Sequence, residues 1–181
     1  MHVKNDHCLA RTRLRRSPNS NLRPEPEDVS LVVVHGISLP PGRFGRGLVE
    51  ELFLNILDTS QDERLADLEG VRVSAHLFID RRGRTTQFVP FDKRAWHAGH
   101  SSWRGRAGCN DFSIGIELEG EDERPYTRAQ YHRLHRVLEA LLERYPRLSR
   151  SAIVGHQEVA PGRKTDPGPA FDWTGLLRAL W

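Results

Sequence analysis

The run Leu31-Val32-Val33-Val34, closed by His35 and Gly36, limits this chain more than any other stretch. Four consecutive aliphatic residues fall far below the roughly 20 that a membrane-spanning helix needs. Short, β-branched and bounded by glycine, the run fits a buried strand, here read over residues 29–35. A second strand follows from alternation. Phe112, Ile114, Ile116 and Leu118 share one side, which leaves Ser113, Gly115, Glu117 and Glu119 on the other.

Around these strands the remaining signals are helical or turn-like. Residues 36–47 carry prolines and glycines and read as a long loop, a candidate lid, and Leu48, Leu52, Phe53 and Ile56 then recur at helical spacing. Residues 73–79 and 84–89 flank a turn at 80–83 and predict an antiparallel hairpin. Thr127 with Gln130 three residues on forms a capping box, which opens a helix with the stripe Tyr131, Leu134, Leu138, Leu141, Leu142 and Tyr145. A short strand at 152–154 runs into Gly155-His156, and a last helix begins at Asp172. The expected fold class is α/β, a single domain with a central mixed β-sheet flanked by helices. A length of 181 residues suits one such domain.

The formal charge is +3, and its location matters more than its size. Residues 1–24 hold Lys4, Arg11, Arg13, Arg15, Arg16 and Arg23 against Asp6 alone, so the rest of the chain is close to neutral. The expected division is a basic N-terminal arm over 1–23 and a folded domain over 24–181. An arm without interleaved aromatics argues against a nucleic-acid partner. No membrane partner is expected, and residues 1–16 lack the apolar run of a secretory signal, which points to the cytoplasm. Cys8 and Cys109 are read as two free thiols, because one bridge would not make a disulfide framework.

Among nine histidines, His35 and His156 stand out, since each sits where an apolar strand ends and a glycine-flanked loop begins. His2, His7, His132 and His135 lie in the arm or on the long helix and are set aside. A catalytic zinc takes three nitrogen, oxygen or sulfur ligands and leaves a position open, and Asp166 in Gly162-Arg163-Lys164-Thr165-Asp166-Pro167-Gly168 is the candidate third ligand. Lys164, two residues earlier in an extended segment, projects to the same side. Spacing alone leaves open that these are polar residues in unrelated loops.

The motifs Leu31-Val32-Val33-Val34-His35, Val73-Ser74-Ala75-His76, Asp92-Lys93-Arg94-Ala95-Trp96-His97-Ala98-Gly99, Cys109-Asn110-Asp111-Phe112-Ser113-Ile114-Gly115-Ile116-Glu117 and Arg163-Lys164-Thr165-Asp166-Pro167-Gly168 settle that choice together. In family order, from about Ser17 to Trp173, they resemble the type 2 N-acetylmuramoyl-L-alanine amidases, relatives of the peptidoglycan recognition proteins. The resemblance implies a zinc amidase acting on muropeptides in cell-wall recycling. It implies Zn2+ held by His35, His156 and Asp166, Glu117 as acid/base, and Lys164 as the group stabilising the transition state. Arg72, His97 and Asn110 are implied as substrate-binding residues, His76 as structural, and the enzyme as a monomer acting on small fragments.

Two positions depart from the family pattern. Gly36 stands where members usually have asparagine, and Gly108 where some have arginine, which puts peptide-stem contacts in question. Cys109 has no base partner in its motif, so a thiol nucleophile is not expected. A recognition module that had lost its metal would need a broken ligand set, and the set here is complete. An exported amidase acting on intact murein would need a signal.

Overall fold

Leu31, Val32, Val33 and Val34 have no exposed surface, so the aliphatic run is covered on both faces, as a strand inside a sheet must be. The computed structural model describes residues 1–180; Trp181, the last residue of the expected domain, lies outside the described residues. In chain order the strands are β1 (Arg13–Leu14), β2 (Ser20–Leu22), β3 (Leu31–Ile37), β4 (Leu77–Ile79), β5 (Thr85–Gln87), β6 (Lys93–Ala95), β7 (Ser102–Trp103), β8 (Arg106–Ala107), β9 (Ser113–Glu119) and β10 (Ile153–Gly155). The helices are α1 (Leu48–Phe53), α2 (Arg128–Arg144), α3 (His156–Val159) and α4 (Trp173–Leu180).

Six strands form the main sheet in the order β1-β5-β4-β9-β3-β10. Only β4 and β5 pair antiparallel; the other neighbours run parallel, which makes the expected mixed α/β sheet. Leu134, Val137, Leu138 and Leu141 of α2 join Val32, Val34, Ile114 and Ile116 in one buried cluster. Val49, Leu52 and Phe53 of α1 join Ala75, Phe78 and Phe88 in another. Each such fully buried aliphatic side chain contributes about 1.5–3 kcal/mol.

The capping box at Thr127 is formed, with Gln130 N–H donating to Thr127 Oγ1 at 3.1 Å and Thr127 N–H donating to Gln130 Oε1 at 3.0 Å. Gln130 Nε2 also donates to the carbonyls of Ile79 and Glu119, which ties the start of α2 to the ends of β4 and β9. Asp172 caps α4 by accepting the Gly175 N–H at 2.8 Å.

Three local expectations change. Helix α1 stops at Phe53 and Asn55 turns to φ 60, so Ile56 leaves the apolar stripe and is 61% exposed. The hairpin ladder is confined to β4 and β5 and is extended by Phe88 N–H donating to His76 O at 2.8 Å, whereas Ser74 N–H donates to Trp96 O instead of to the opposite strand. The segment 1–23 is no free arm. Strand β1 extends the sheet, Cys8 and Leu9 are buried, and Arg13 and Arg15 pair with Glu50. Arg23 is inside the protein, donating to the carbonyls of Phe91, Asn110, Asp111 and Ser113 at 2.7–3.1 Å. Arg13, Arg15 and Arg23 thus find their partners far away in sequence, while Lys4 pairs locally with Asp6. Both cysteines are free and buried, and no helix among the described residues is long and apolar enough to cross a membrane.

His76 makes the core sensitive to acid. Its Nδ1 accepts the Gly115 N–H at 3.0 Å, so the proton sits on Nε2 and goes to Lys93 O at 2.9 Å. Arg23 Nη2, 3.2 Å from Nε2, is then a donor facing a donor and adds only repulsion toward a charged ring. Burial first, then the Arg23 charge, lower the pKa of His76 to about 3. An unfolded histidine takes its proton near pH ~6.5 while this one stays neutral, so stability is lost as pH falls from ~6.5 toward ~3, at up to about 1.4 kcal/mol per unit. Denaturant unfolding at pH 7 and 5 should show a larger loss for wild type than for His76→Gln. Equal losses would exclude His76 as the acid-sensitive group.

Candidate active site

Strand register builds the site. β3 and β9 run parallel with His35 opposite Glu117, so two side chains on one face of neighbouring strands become adjacent. β10 lies on the other edge of β3 with Gly155 opposite Val34, which delivers His156 beside His35. Ligand sites in parallel sheets form at the carboxyl ends of strands, where all three residues lie. Asp166 arrives from the turn after α3, and Gln157 N–H donating to Asp166 O at 3.1 Å fixes that turn to the helix.

The Nδ1 atoms of His35 and His156 are 3.0 Å apart. Asp166 Oδ2 lies 3.2 Å from His35 Nδ1, and both of its oxygens lie 3.1 Å from His156 Nδ1. His156 Nε2 donates to the carbonyl of Ala98 at 3.2 Å, so its Nδ1 carries a lone pair toward the carboxylate. Lone pairs converging on a carboxylate suit a cation, and the three residues form a group able to hold a metal ion. Burial lowers the pKa of His35 to about 4, which keeps the ring neutral as a ligand must be.

Glu117 faces this group, with Oε1 3.9 Å from His35 Nδ1. Its Oε2 is buried without a hydrogen-bond partner. Burial, and then the charge of Asp166, raise its pKa well above that of an ordinary glutamate, with Lys164 opposing. A cleft of about 250 Å³ opens here, lined by His35, Glu117, His156, Lys164 and Asp166 and by an apolar wall that includes Leu52, Val73 and Trp96. The metal group, a free carboxyl and an ammonium thus share one cavity.

The other candidates are placed differently. His97 borders the cleft, but both ring nitrogens point inward, to His35 Nε2 at 2.9 Å and Ser113 Oγ at 3.1 Å. Asn110 does not line the cleft; its Oδ1 accepts the N–H groups of His97 and Ala98 at 3.2 and 2.8 Å. Arg72 is exposed between Val71 and Val73, which do line it. From the loop 36–47, only Gly36 and Ile37 reach the cleft. Its tip is held elsewhere, with the guanidinium groups of Arg81 and Arg124 over the Phe44 ring and Gly45 N–H on Glu119 Oε1 at 2.5 Å.

Tyr126 was not singled out by the sequence. Its hydroxyl donates to Pro167 O at 3.0 Å, next to Asp166, and a Cβ at position 36 would lie 2.2 Å from that oxygen. Gly36 therefore makes room for Tyr126. A glycine beside a ligand is a signal that something bulky approaches, though it does not say what.

Two histidines at strand ends, an aspartate from the turn after α3, a buried carboxyl beside them and a lysine in the same cleft form an arrangement able to serve metal-assisted hydrolysis. The N-acetylmuramoyl-L-alanine amidase family model matches residues 25–169, and the chain belongs to that family. It is 53% identical over 172 residues to the 1,6-anhydro-N-acetylmuramyl-L-alanine amidase AmpD of Citrobacter freundii, covering 95% of this chain and 91% of that one. A crystal structure of an AmpD selenomethionine derivative superposes with a TM-score of 0.94 at 51% identity, over 99% of both chains. The Escherichia coli amidase AmiD, solved with anhydro-N-acetylmuramic acid-L-Ala-D-gamma-Glu-L-Lys, superposes with a TM-score of 0.62 at 29% identity over 91% of this chain and 61% of that one.

Proposed function

We propose that this chain is a zinc-dependent amidase that hydrolyses the bond between N-acetylmuramic acid, in its anhydro form, and L-alanine in small muropeptides during cell-wall recycling. The observation that carries this reading is the convergence of His35, His156 and Asp166 beside the unpartnered carboxyl of Glu117. Two histidines and a carboxylate also suit ferrous iron, but a raised carboxyl and an ammonium in the same cleft are equipment for proton transfer and charge stabilisation, not for redox chemistry. The relatives named for 1,6-anhydromuramyl substrates support the substrate class. Two buried, unpaired thiols fit a reducing compartment such as the cytoplasm.

His35, His156 and Asp166 would hold the ion, which when bound supplies a water of lowered pKa and a Lewis acid for the carbonyl. Glu117 would accept a proton from the attacking water as the water oxygen adds to the lactyl carbonyl carbon. The raised pKa of Glu117 makes it a stronger base than an ordinary glutamate, one that keeps the proton it has taken until the alanine nitrogen accepts it. It then returns that proton to the alanine nitrogen as the C–N bond breaks, leaving a lactyl carboxylic acid and a free peptide amine, which become carboxylate and ammonium when the acid's proton passes to the amine. Lys164 stabilises the negative charge that develops on the carbonyl oxygen. Leu52, Val73 and Trp96 offer apolar surface to the sugar and the alanine methyl.

Purified protein loaded with zinc and incubated with an anhydro-muropeptide should yield two products by mass, the anhydro sugar and the intact stem peptide. Intact sacculi should release little. Cleavage within the peptide, or no cleavage of the fragment, would overturn the assignment.

A further inference from the structure

We infer that His97 is a positioning residue of the metal site, setting the tautomer of His35 through a relay that ends on Ser113, and that Asn110 holds the segment that makes this possible. The inference rests on the ligand assignment above and extends it to residues outside the ligand set.

For His35 to offer a lone pair at Nδ1, its proton must sit on Nε2. The group placed to accept that proton is His97 Nδ1, 2.9 Å away, with the two rings nearly perpendicular at 88°. His97 then carries its own proton on Nε2, 3.1 Å from Ser113 Oγ, a fully buried hydroxyl that can accept it. The His97 ring is packed flat against strand β9: a Cβ on Gly115 would lie 2.4 Å from His97 Cγ. That glycine is thus a seat for the imidazole.

The next residue serves the second ligand. Ala98 O accepts His156 Nε2–H at 3.2 Å and also Arg163 Nη2 at 2.6 Å. One dipeptide therefore fixes both ligand histidines, His35 through a side chain and His156 through a carbonyl. Asn110 Oδ1 holds that dipeptide by accepting both of its N–H groups. Groups that orient ligand histidines in this way typically account for 10- to 100-fold in metal affinity.

The test compares His97→Phe, which keeps a ring on Gly115 without an acceptor, with His97→Asn, which restores an acceptor near the Nδ1 position. Zinc affinity is read by competition with a chromophoric chelator, and melting of the metal-free proteins reports folding. The expected result is zinc affinity weaker by about 10- to 100-fold in His97→Phe and largely recovered in His97→Asn, with KM at saturating zinc little changed. If His97→Phe does not fold, Ser113→Ala carries the same test, and its zinc affinity should fall in the same direction. Wild-type zinc affinity in whichever of these two variants folds, or a raised KM with unchanged zinc affinity, would make His97 a wall of the substrate cleft and overturn the inference. Failure of the wild type itself to bind zinc would overturn the ligand assignment beneath it.

Discussion

Glu117→Gln is expected to lose about 10³-fold in turnover while keeping its metal affinity and melting no lower than wild type. The loss follows from the role: proton transfer by a positioned side chain contributes roughly 10²- to 10⁴-fold, and Glu117 serves both the attack and the departure. Glutamine keeps the shape and cannot carry the proton. The stability expectation comes from a different fact. Glu117 Oε2 is buried without a partner, and a carboxyl held that way costs free energy when charged. Removing the charge removes that cost, so the melting temperature should hold or rise. Turnover within a few-fold of wild type would take Glu117 out of the mechanism. A large drop in stability would mean that it is an ion-pair partner instead.

Much of the frame was legible because it depends on local pattern. The aliphatic run of β3, the alternation of β9 and the Thr127–Gln130 box each specify an element from a few neighbouring residues, and each was found. Ends of elements were less legible. Ile56 continues the apolar spacing of α1, yet Asn55 breaks the helix before it, and Val73 to Ala75 follow the alternation of a strand but pair with a distant loop.

Within the site, the alternation placed Glu117 on the same face as Ser113 and Gly115 but could not say what covers that face. In the fold, the His97 ring occupies it, because a contact between residues 97 and 115 depends on how a loop returns over the sheet. Asn110 and Arg23 share that difficulty. Each satisfies backbone groups far away in sequence, and no spacing rule exposes such a pairing. The basic segment at the start of the chain looked free for the same reason, since its partner Glu50 lies on α1.

Loss of the metal should be the larger effect of the two. Lowering the pKa of water from about 15.7 to about 7 is the main service an ion here would supply, and without it Glu117 faces a water that is far too weak an acid. Metal-free protein is therefore expected to hydrolyse an anhydro-muropeptide at least about 10⁴-fold more slowly, and His156→Ala should behave like it at any moderate zinc concentration. His156 is the sharpest ligand to remove, because Ala98 O fixes its tautomer and Asp166 meets its Nδ1 with both oxygens. The most direct measurement is a titration of metal-free protein with zinc, reading the initial rate of release of the stem peptide. The account predicts a rate that climbs to a break at a single ion per chain in the wild type and stays at baseline in His156→Ala. Full activity before any zinc is added, or the same break in both proteins, would contradict it.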